Sequence, residues 1–325
     1  MAVKVFHLFW HSILPDSIAP EKQDGSNSTA AMFREQINFI VNRYTPISIS
    51  EFLAIIDNPN VERSFSKPPV VLGFDDGFKG VITHGLPVLK EFNLPAVFFV
   101  IGEILKNHEF VPWFVEFKHL VRRTKKSMIR YRNLSINMSS QQDRVQLLHC
   151  FQASFRVCRS ETSRQKLLQE LADALAVDRP VVSDLDDDLR LVTKADLASL
   201  DSSSLLTIAS HAMTHRHLDC LTYEEQVAEL EESDFLLRQY SPCYYPVVSY
   251  PSGCFNADTI AIAKKIYKAG FAVFKNSSYR NRYAYQRICI THASVKELAY
   301  ILNPVRLKCV LPLKQFLDRA GIRKA

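Results

Sequence analysis

Seven short apolar runs are spaced along this 325-residue chain, at residues 3–10, 70–74, 96–101, 205–209, 247–250, 271–274 and 287–290. Each has the length and composition of a strand, and helical patterns lie between them. In residues 31–44, Phe33, Ile37, Ile40 and Val41 form one helical stripe. Thr222 and Glu225 have the spacing of a capping box that opens a helix with Val227, Leu230, Phe235 and Leu236 on its buried face. Asn256 caps a further helix, predicted to run to Ala269 with Gly270 at its stop. Strands alternating with helices predict a parallel sheet or barrel.

Residues 103–200 break this alternation. They read as helices over 113–121, 141–155 and 161–176, an acidic loop at 184–188 and a fourth helix near 194–200. The block is expected to be a helical insertion covering one side of an active-site mouth, where barrel enzymes commonly set specificity. The length suits one barrel-sized domain, so the expectation is a single domain over 1–325 with an insertion at about 103–200.

Two polar segments follow predicted strands. Gly73-Phe74-Asp75-Asp76-Gly77 comes after the second run, and Ser210-His211-Ala212-Met213-Thr214-His215 after the fourth. Strand ends of this kind are where α/β folds place their chemistry. One carboxylate and two histidines suffice to hold a catalytic zinc with a position left open, and a second carboxylate is then free to act as a base. Each segment alone has a plainer explanation. Asp-Asp-Gly can be a turn in which Gly77 supplies positive φ and the carboxylates cap the next helix. Histidine pairs at i,i+4 arise by chance roughly 0.3 times in a chain of this composition. His7 and His11 are such a pair, and on a strand they would stand about 13 Å apart, too far for one ion. In a helical turn or tight loop, His211 and His215 come within reach of one metal.

Taken together and in order, these elements resemble the NodB-type polysaccharide deacetylases of carbohydrate esterase family 4. That family carries a [TS]-F-D-D-G element, an H-[ST]-x-x-H element and a later R-x-P-x-G or Y-P-x-G element, here Gly73 to Gly77, His211 to His215 and Tyr250-Pro251-Ser252-Gly253. Phe9-Trp10-His11 resembles the end of the family's first strand, and residues 94–100 the strand after the Asp-Asp-Gly helix. The resemblance covers about residues 1–103 and 205–295. It implies a distorted (β/α) barrel of the NodB-homology type and removal of N-acetyl groups from an amino sugar in a glycan or glycoconjugate. It also implies a divalent metal, Zn2+ first and Co2+, Ni2+ or Fe2+ as alternatives, on Asp76, His211 and His215. A metal-bound water would be the nucleophile, Asp75 the base, and Tyr250, Pro251 and Ser252 a groove wall with the Ser252 N–H facing the oxyanion.

The chain departs from the family in two places. Many members carry an arginine where Ser249 stands, and Arg287 matches the arginine that Y-P-x-G members carry instead to orient the base. The general acid is open between His292 and His11; His217 and His84 read as surface or capping residues. Two alternatives stay open, a deformylase or other C–N hydrolase on the same site, and a non-catalytic glycan-binding protein retaining the fold.

Composition narrows the partners. A net charge of +6 and 47% hydrophobic residues are ordinary for a globular chain. The basic run Arg122-Arg123-Thr124-Lys125-Lys126 reads as a solvated helix face, and without interleaved aromatics nucleic acid is not an expected partner. Asp184, Asp186, Asp187 and Asp188 read as a solvated loop, since they lack the spacing and glycine of a calcium loop. Seven cysteines with no C-x-x-C read as reduced thiols. With no signal-peptide pattern and no long apolar span, the expected location is the cytoplasm.

Overall fold

The computed structural model describes residues 5–19, 27–58, 65–158, 160–201, 205–273, 281–290 and 294–303. Seven strands form a closed parallel barrel: β1 (Phe6–Trp10), β2 (Pro69–Phe74), β3 (Ala96–Val100), β4 (Leu206–Ser210), β5 (Tyr244–Ser249), β6 (Ala269–Val273) and β7 (Tyr285–Cys289). They pair in sequence order, and β7 closes back onto β1 through Leu8 with Ile288 and Phe9 with Cys289. All seven apolar runs of the sequence are these strands. A short strand, Thr45–Ile47, pairs with the first half of β2, and β3 takes over that edge at Gly73.

Every residue of β2 and β3 is buried, as in sheets covered on both faces. Alternate residues serve the two sides. Val71, Val97, Phe99, Ala209, Val247 and Phe271 belong to one apolar cluster, and His7 joins that side against Phe99 and Phe271. Leu8, Leu72, Phe74, Phe98 and Ile208 belong to another, which includes the surrounding helices.

The capping boxes at Thr222 and Asn256 are present. The second helix stops at Ile266 rather than Ala269, because Ala269 and Gly270 already belong to β6. Ile49–Asp57, capped by Ser48 and Glu51, and Leu86–Phe92 are helices the apolar pattern did not signal.

The insertion contains helices Trp113–Arg123, Gln141–Val157, Glu161–Leu175 and Lys194–Ala198. It is not purely helical, since Met128–Tyr131 and Leu134–Asn137 form an antiparallel hairpin. Its apolar cluster, including Phe117, Leu120, Leu147, Phe151 and Leu171, is separate from those of the barrel. Its acidic and basic runs are partly solvated, with Arg123, Lys125, Lys126, Asp184 and Asp187 exposed, and partly paired: Arg122 meets Asp188 at 2.8 Å, Arg123 meets Asp186 at 3.1 Å, and Asp188 is buried. Among the described residues, six cysteines are free, and no helix is long and apolar enough to cross a membrane.

Candidate active site

The polar segments end adjacent regions of the barrel rim, and local backbone geometry turns their side chains inward. After β2, the Asp75 N–H donates to the Trp10 carbonyl at 2.9 Å, extending the ladder by one residue. Asp76 then takes φ 73° and Gly77 φ 86°. After β4, the His211 N–H donates to the Val100 carbonyl, and Ala212 and His215 adopt φ 59° and 60°. Left-handed backbone at non-glycine residues costs free energy and persists only where surroundings fix it. Glu229 supplies much of that fixation. Its buried carboxylate accepts from the N–H groups of Met213 and Thr214 at 3.0 and 2.8 Å, and from the Thr214 hydroxyl.

The turns bring Asp76, His211 and His215 together, all buried, with one donor atom from each within 4.8 Å of the others. The Asp76 Oδ1 lies 3.2 Å from His211 Nε2 and 3.3 Å from His215 Nε2. His211 Nδ1 lies 2.8 Å from the Ser249 carbonyl. That carbonyl can only accept, so Nδ1 carries the proton and Nε2 presents its lone pair, the tautomer a metal ligand needs. Burial alone would raise the Asp76 carboxyl; the two imidazoles against it outweigh that and hold it well below the usual carboxylate range. Mixed O/N donors on three buried side chains fit a divalent transition ion.

Asp75 has separate partners. Arg287 Nη1 and Nη2 donate to its two oxygens at 2.7 Å each, and Nη2 also reaches the Ser249 hydroxyl at 2.6 Å. The guanidinium is buried and lies 4.1 Å from the Phe9 ring centroid. Burial pushes the Asp75 carboxyl up, but Arg287 and then His211 prevail and hold it below its ordinary value. Ser249, where many relatives have an arginine, thus orients the arginine arriving from β7.

His11, just past β1, sits by Cys289 and the two aspartates. Burial lowers its pKa, yet Cys289, which is hydrogen-bonded to it, and the Asp76 and Asp75 carboxylates outweigh this and raise it to about 9. His292 lies outside the described residues. Tyr250 corrects an expectation: instead of lining a groove it is fully buried, with its hydroxyl donating to the Tyr283 carbonyl at 2.8 Å. Pro251 is also buried, whereas Ser252 is exposed and left-handed at φ 54°. Gly253 follows at φ 66°, where a Cβ would meet Val273 Cγ2 at 2.1 Å, so no other residue fits there.

His217, expected as a surface or capping residue, stands at the N-cap position of the 218–220 turn without a side-chain cap bond, and is not at the surface. It is buried, its Nε2 is 3.2 Å from the Ser252 hydroxyl, and its ring is 6.2 Å from Trp113. Burial, then His215 and Arg156, lower its pKa to about 4, which leaves it neutral. No spacing in the sequence marks this residue; its only signal is its nearness to His215.

The sequence pattern of the polysaccharide deacetylase family matches residues 62–147 and 190–270, about half of the chain and both polar segments. The chain belongs to the polysaccharide deacetylase family. Its fold is similar to that of the Streptococcus pyogenes deacetylase PplD, solved in complex with acetate, at 17% identity and a TM-score of 0.55 over 94% of this chain and 100% of that one. A de-N-acetylase from Aggregatibacter actinomycetemcomitans superposes at a TM-score of 0.54, with 18% identity over 92% and 99% of the two chains. The polysaccharide deacetylase BC0361 from Bacillus cereus gives 0.54 at 16% identity over 92% of this chain and 69% of that one. No curated protein matches the sequence.

Proposed function

We propose that this chain is a metal-dependent N-deacetylase acting on N-acetylated amino sugars in a glycan or glycoconjugate. The observation that carries the proposal is the division of labour between adjacent carboxylates, Asp76 between two imidazoles and Asp75 on a guanidinium. Asp76, His211 and His215 would hold the ion, with Zn2+ the first choice and Co2+, Ni2+ or Fe2+ compatible with the same donors. A divalent ion there supplies acidified water and a polarised acyl oxygen.

The chain's own residues carry the proton transfers. Asp75, kept ionised and fixed in two-point geometry by Arg287, takes a proton from the attacking water. His11, which sits by both carboxylates, gives one to the departing amine. The Ser252 N–H, on the left-handed turn that Gly253 permits, donates to the developing oxyanion. Acetyl is the acyl group in the names of two solved relatives, which favours acetate over formate as product. The Arg287 pairing supplies the cation absent at Ser249, so a non-catalytic descendant gains no support from that departure.

The test is acetate release from a panel of N-acetylhexosamine glycans, with and without chelator. Chelator-sensitive release of acetate supports the proposal. Release of formate instead, or no acid from any member of the panel with Zn2+ supplied, overturns it.

A further inference from the structure

A cavity of about 390 Å3 beside the metal-ligand loop has no part in the chemistry above, and it is of small-ligand size. The barrel rim supplies Thr214, which lies between the two metal-site histidines. The insertion supplies Trp113, Glu116, Arg164 and Arg179. The family pattern skips residues 148–189, the segment that carries Arg164 and Arg179. The side of the cavity that carries Arg164 and Arg179 therefore lies outside the part of the chain that the family pattern matches, whereas Trp113, Glu116 and Thr214 lie within it.

Its arginines are already paired. Arg179 reaches both oxygens of Glu116, at 2.5 and 3.1 Å. Arg164 holds Glu161 through Nε and Nη2 at 2.9 and 2.7 Å, and Arg216 pairs with Glu225 at 2.8 Å. An anionic ligand would have to compete with these carboxylates, so the cavity does not suit phosphate or an acidic sugar. The held groups keep spare capacity: Arg164 Nη1 is buried with no hydrogen-bond partner, and each carboxylate retains acceptor lone pairs. Phe110 and Trp113 add aromatic surface. Fixed donor and acceptor pairs beside apolar faces match a ring that carries hydroxyls at its edge and C–H groups on its face.

The geometry points to this cavity as a further sugar subsite, one that takes a neutral hexose or N-acetylhexosamine unit of the glycan whose N-acetyl group is presented to Asp75 and Asp76. The assignment rests on the deacetylase proposal for the direction of the chain. Trp113 joins the two places, with its ring 6.3 Å from the His215 ring and its Nε1 donating to the His215 carbonyl at 3.4 Å.

Trp113 also provides the probe. The chain has two tryptophans, and Trp10 is fully buried, so sugar-dependent emission reports Trp113, and substitutions around the cavity separate binding there from binding at the adjoining His215. N-Acetylglucosamine and its β-1,4- and β-1,6-linked oligomers, dimer to pentamer, are titrated against the full chain. Oligomers of at least one linkage should bind about tenfold or more tighter than the monomer. Gln165→Tyr, at an exposed rim position, should abolish that gain, and Phe110→Ala should weaken it. Gln165→Tyr should leave acetate release from the monomer unchanged and lower kcat/KM on the tetramer by about tenfold. Oligomers that bind no tighter than the monomer, or equally well to Gln165→Tyr with native circular dichroism, overturn the subsite. So does inorganic phosphate that changes the emission at lower concentration than the oligomers. Length-dependent binding without acetate release from any sugar retains the subsite and removes the deacetylase. Acetate release without length dependence does the reverse.

Discussion

The barrel rim and the insertion meet at Trp113, yet they hold their functional side chains by different means. At the rim, the positions are set by backbone. Asp76, Ala212 and His215 sit in left-handed conformations, held by ladder hydrogen bonds to Trp10 and Val100 and by the buried Glu229. In the insertion, the positions are set by an apolar cluster of its own, and the polar groups that face the cavity stand on helix surfaces, as Glu116 and Arg164 do, or on the loop that follows, as Arg179 does. Strained backbone can be maintained where a closed sheet over-determines it, which suits chemistry that tolerates little displacement. A wall built on a separate core can change its lining without disturbing that geometry, which suits recognition.

The sharpest way to break this comparison lies at the rim. Asp75→Asn should lower turnover on the order of 10²–10⁴-fold while metal content stays at the wild-type level, since Asp75 is engaged by Arg287 and not by the two histidines. Stopped acetate release with an unchanged metal stoichiometry is the expected pair of readings. A wild-type rate would remove Asp75 from the mechanism.

The insertion offers the counterpart. Leu147 is fully buried in the insertion's apolar cluster, and Leu147→Ala should cost about 2–5 kcal/mol. Hydrogen exchange should show the loss in the helices of 113–175, with the amides of β2 and β4 unaffected. Equal loss of protection in the barrel strands would show that the two regions are one cooperative unit.

Arg287→Lys should lower activity by roughly 10–100-fold, because an ammonium cannot grip both Asp75 oxygens as the planar fork does. Metal content should again be unchanged. Activity within twofold of wild type would reduce the bidentate pairing to a structural contact.

The smallest effect concerns His7, inside the barrel below the site. Burial, and then Arg287, hold its pKa well below the ordinary value, so the folded state keeps it neutral. The unfolded chain binds a proton once pH falls below about 6.5, and stability is lost from that point downward. The melting temperature of His7→Leu relative to wild type should therefore rise as pH is lowered from 7 to 5. A pH-independent difference would count against the buried neutral imidazole.

Much of this organisation was legible in the sequence. Parallel strands covered on both faces must be apolar nearly throughout, and for that reason all seven apolar runs became barrel strands. The grouping of Asp76, His211 and His215 was legible because residue types that suit metal ligation stand at particular strand ends. The hairpin at 128–137 was not, since Met128 and Arg130 are exposed and only Ile129 and Tyr131 turn inward, too short an alternation to stand out. The Ile49–Asp57 helix was missed although Ser48 and Glu51 have capping-box spacing, because its apolar residues alone did not stand out. Tyr250 and His217 were misplaced because burial at a loop depends on what the insertion and neighbouring strands lay over it, which local pattern does not encode. Glu229 left no mark either: a glutamate one residue before Leu230 looks like any solvent-facing helix position until the 213–214 backbone arrives against it.

The central claim, that Asp76 with His211 and His215 holds a catalytic ion, is tested most directly by measuring metal stoichiometry and acetate release on the same samples. Wild type, Asp76→Asn and chelated wild type resupplied with Zn2+ are compared. The account predicts one ion per chain and acetate release for wild type, loss of both in Asp76→Asn and on chelation, and recovery of both with Zn2+. Acetate release that persists at full rate in metal-free protein would contradict it.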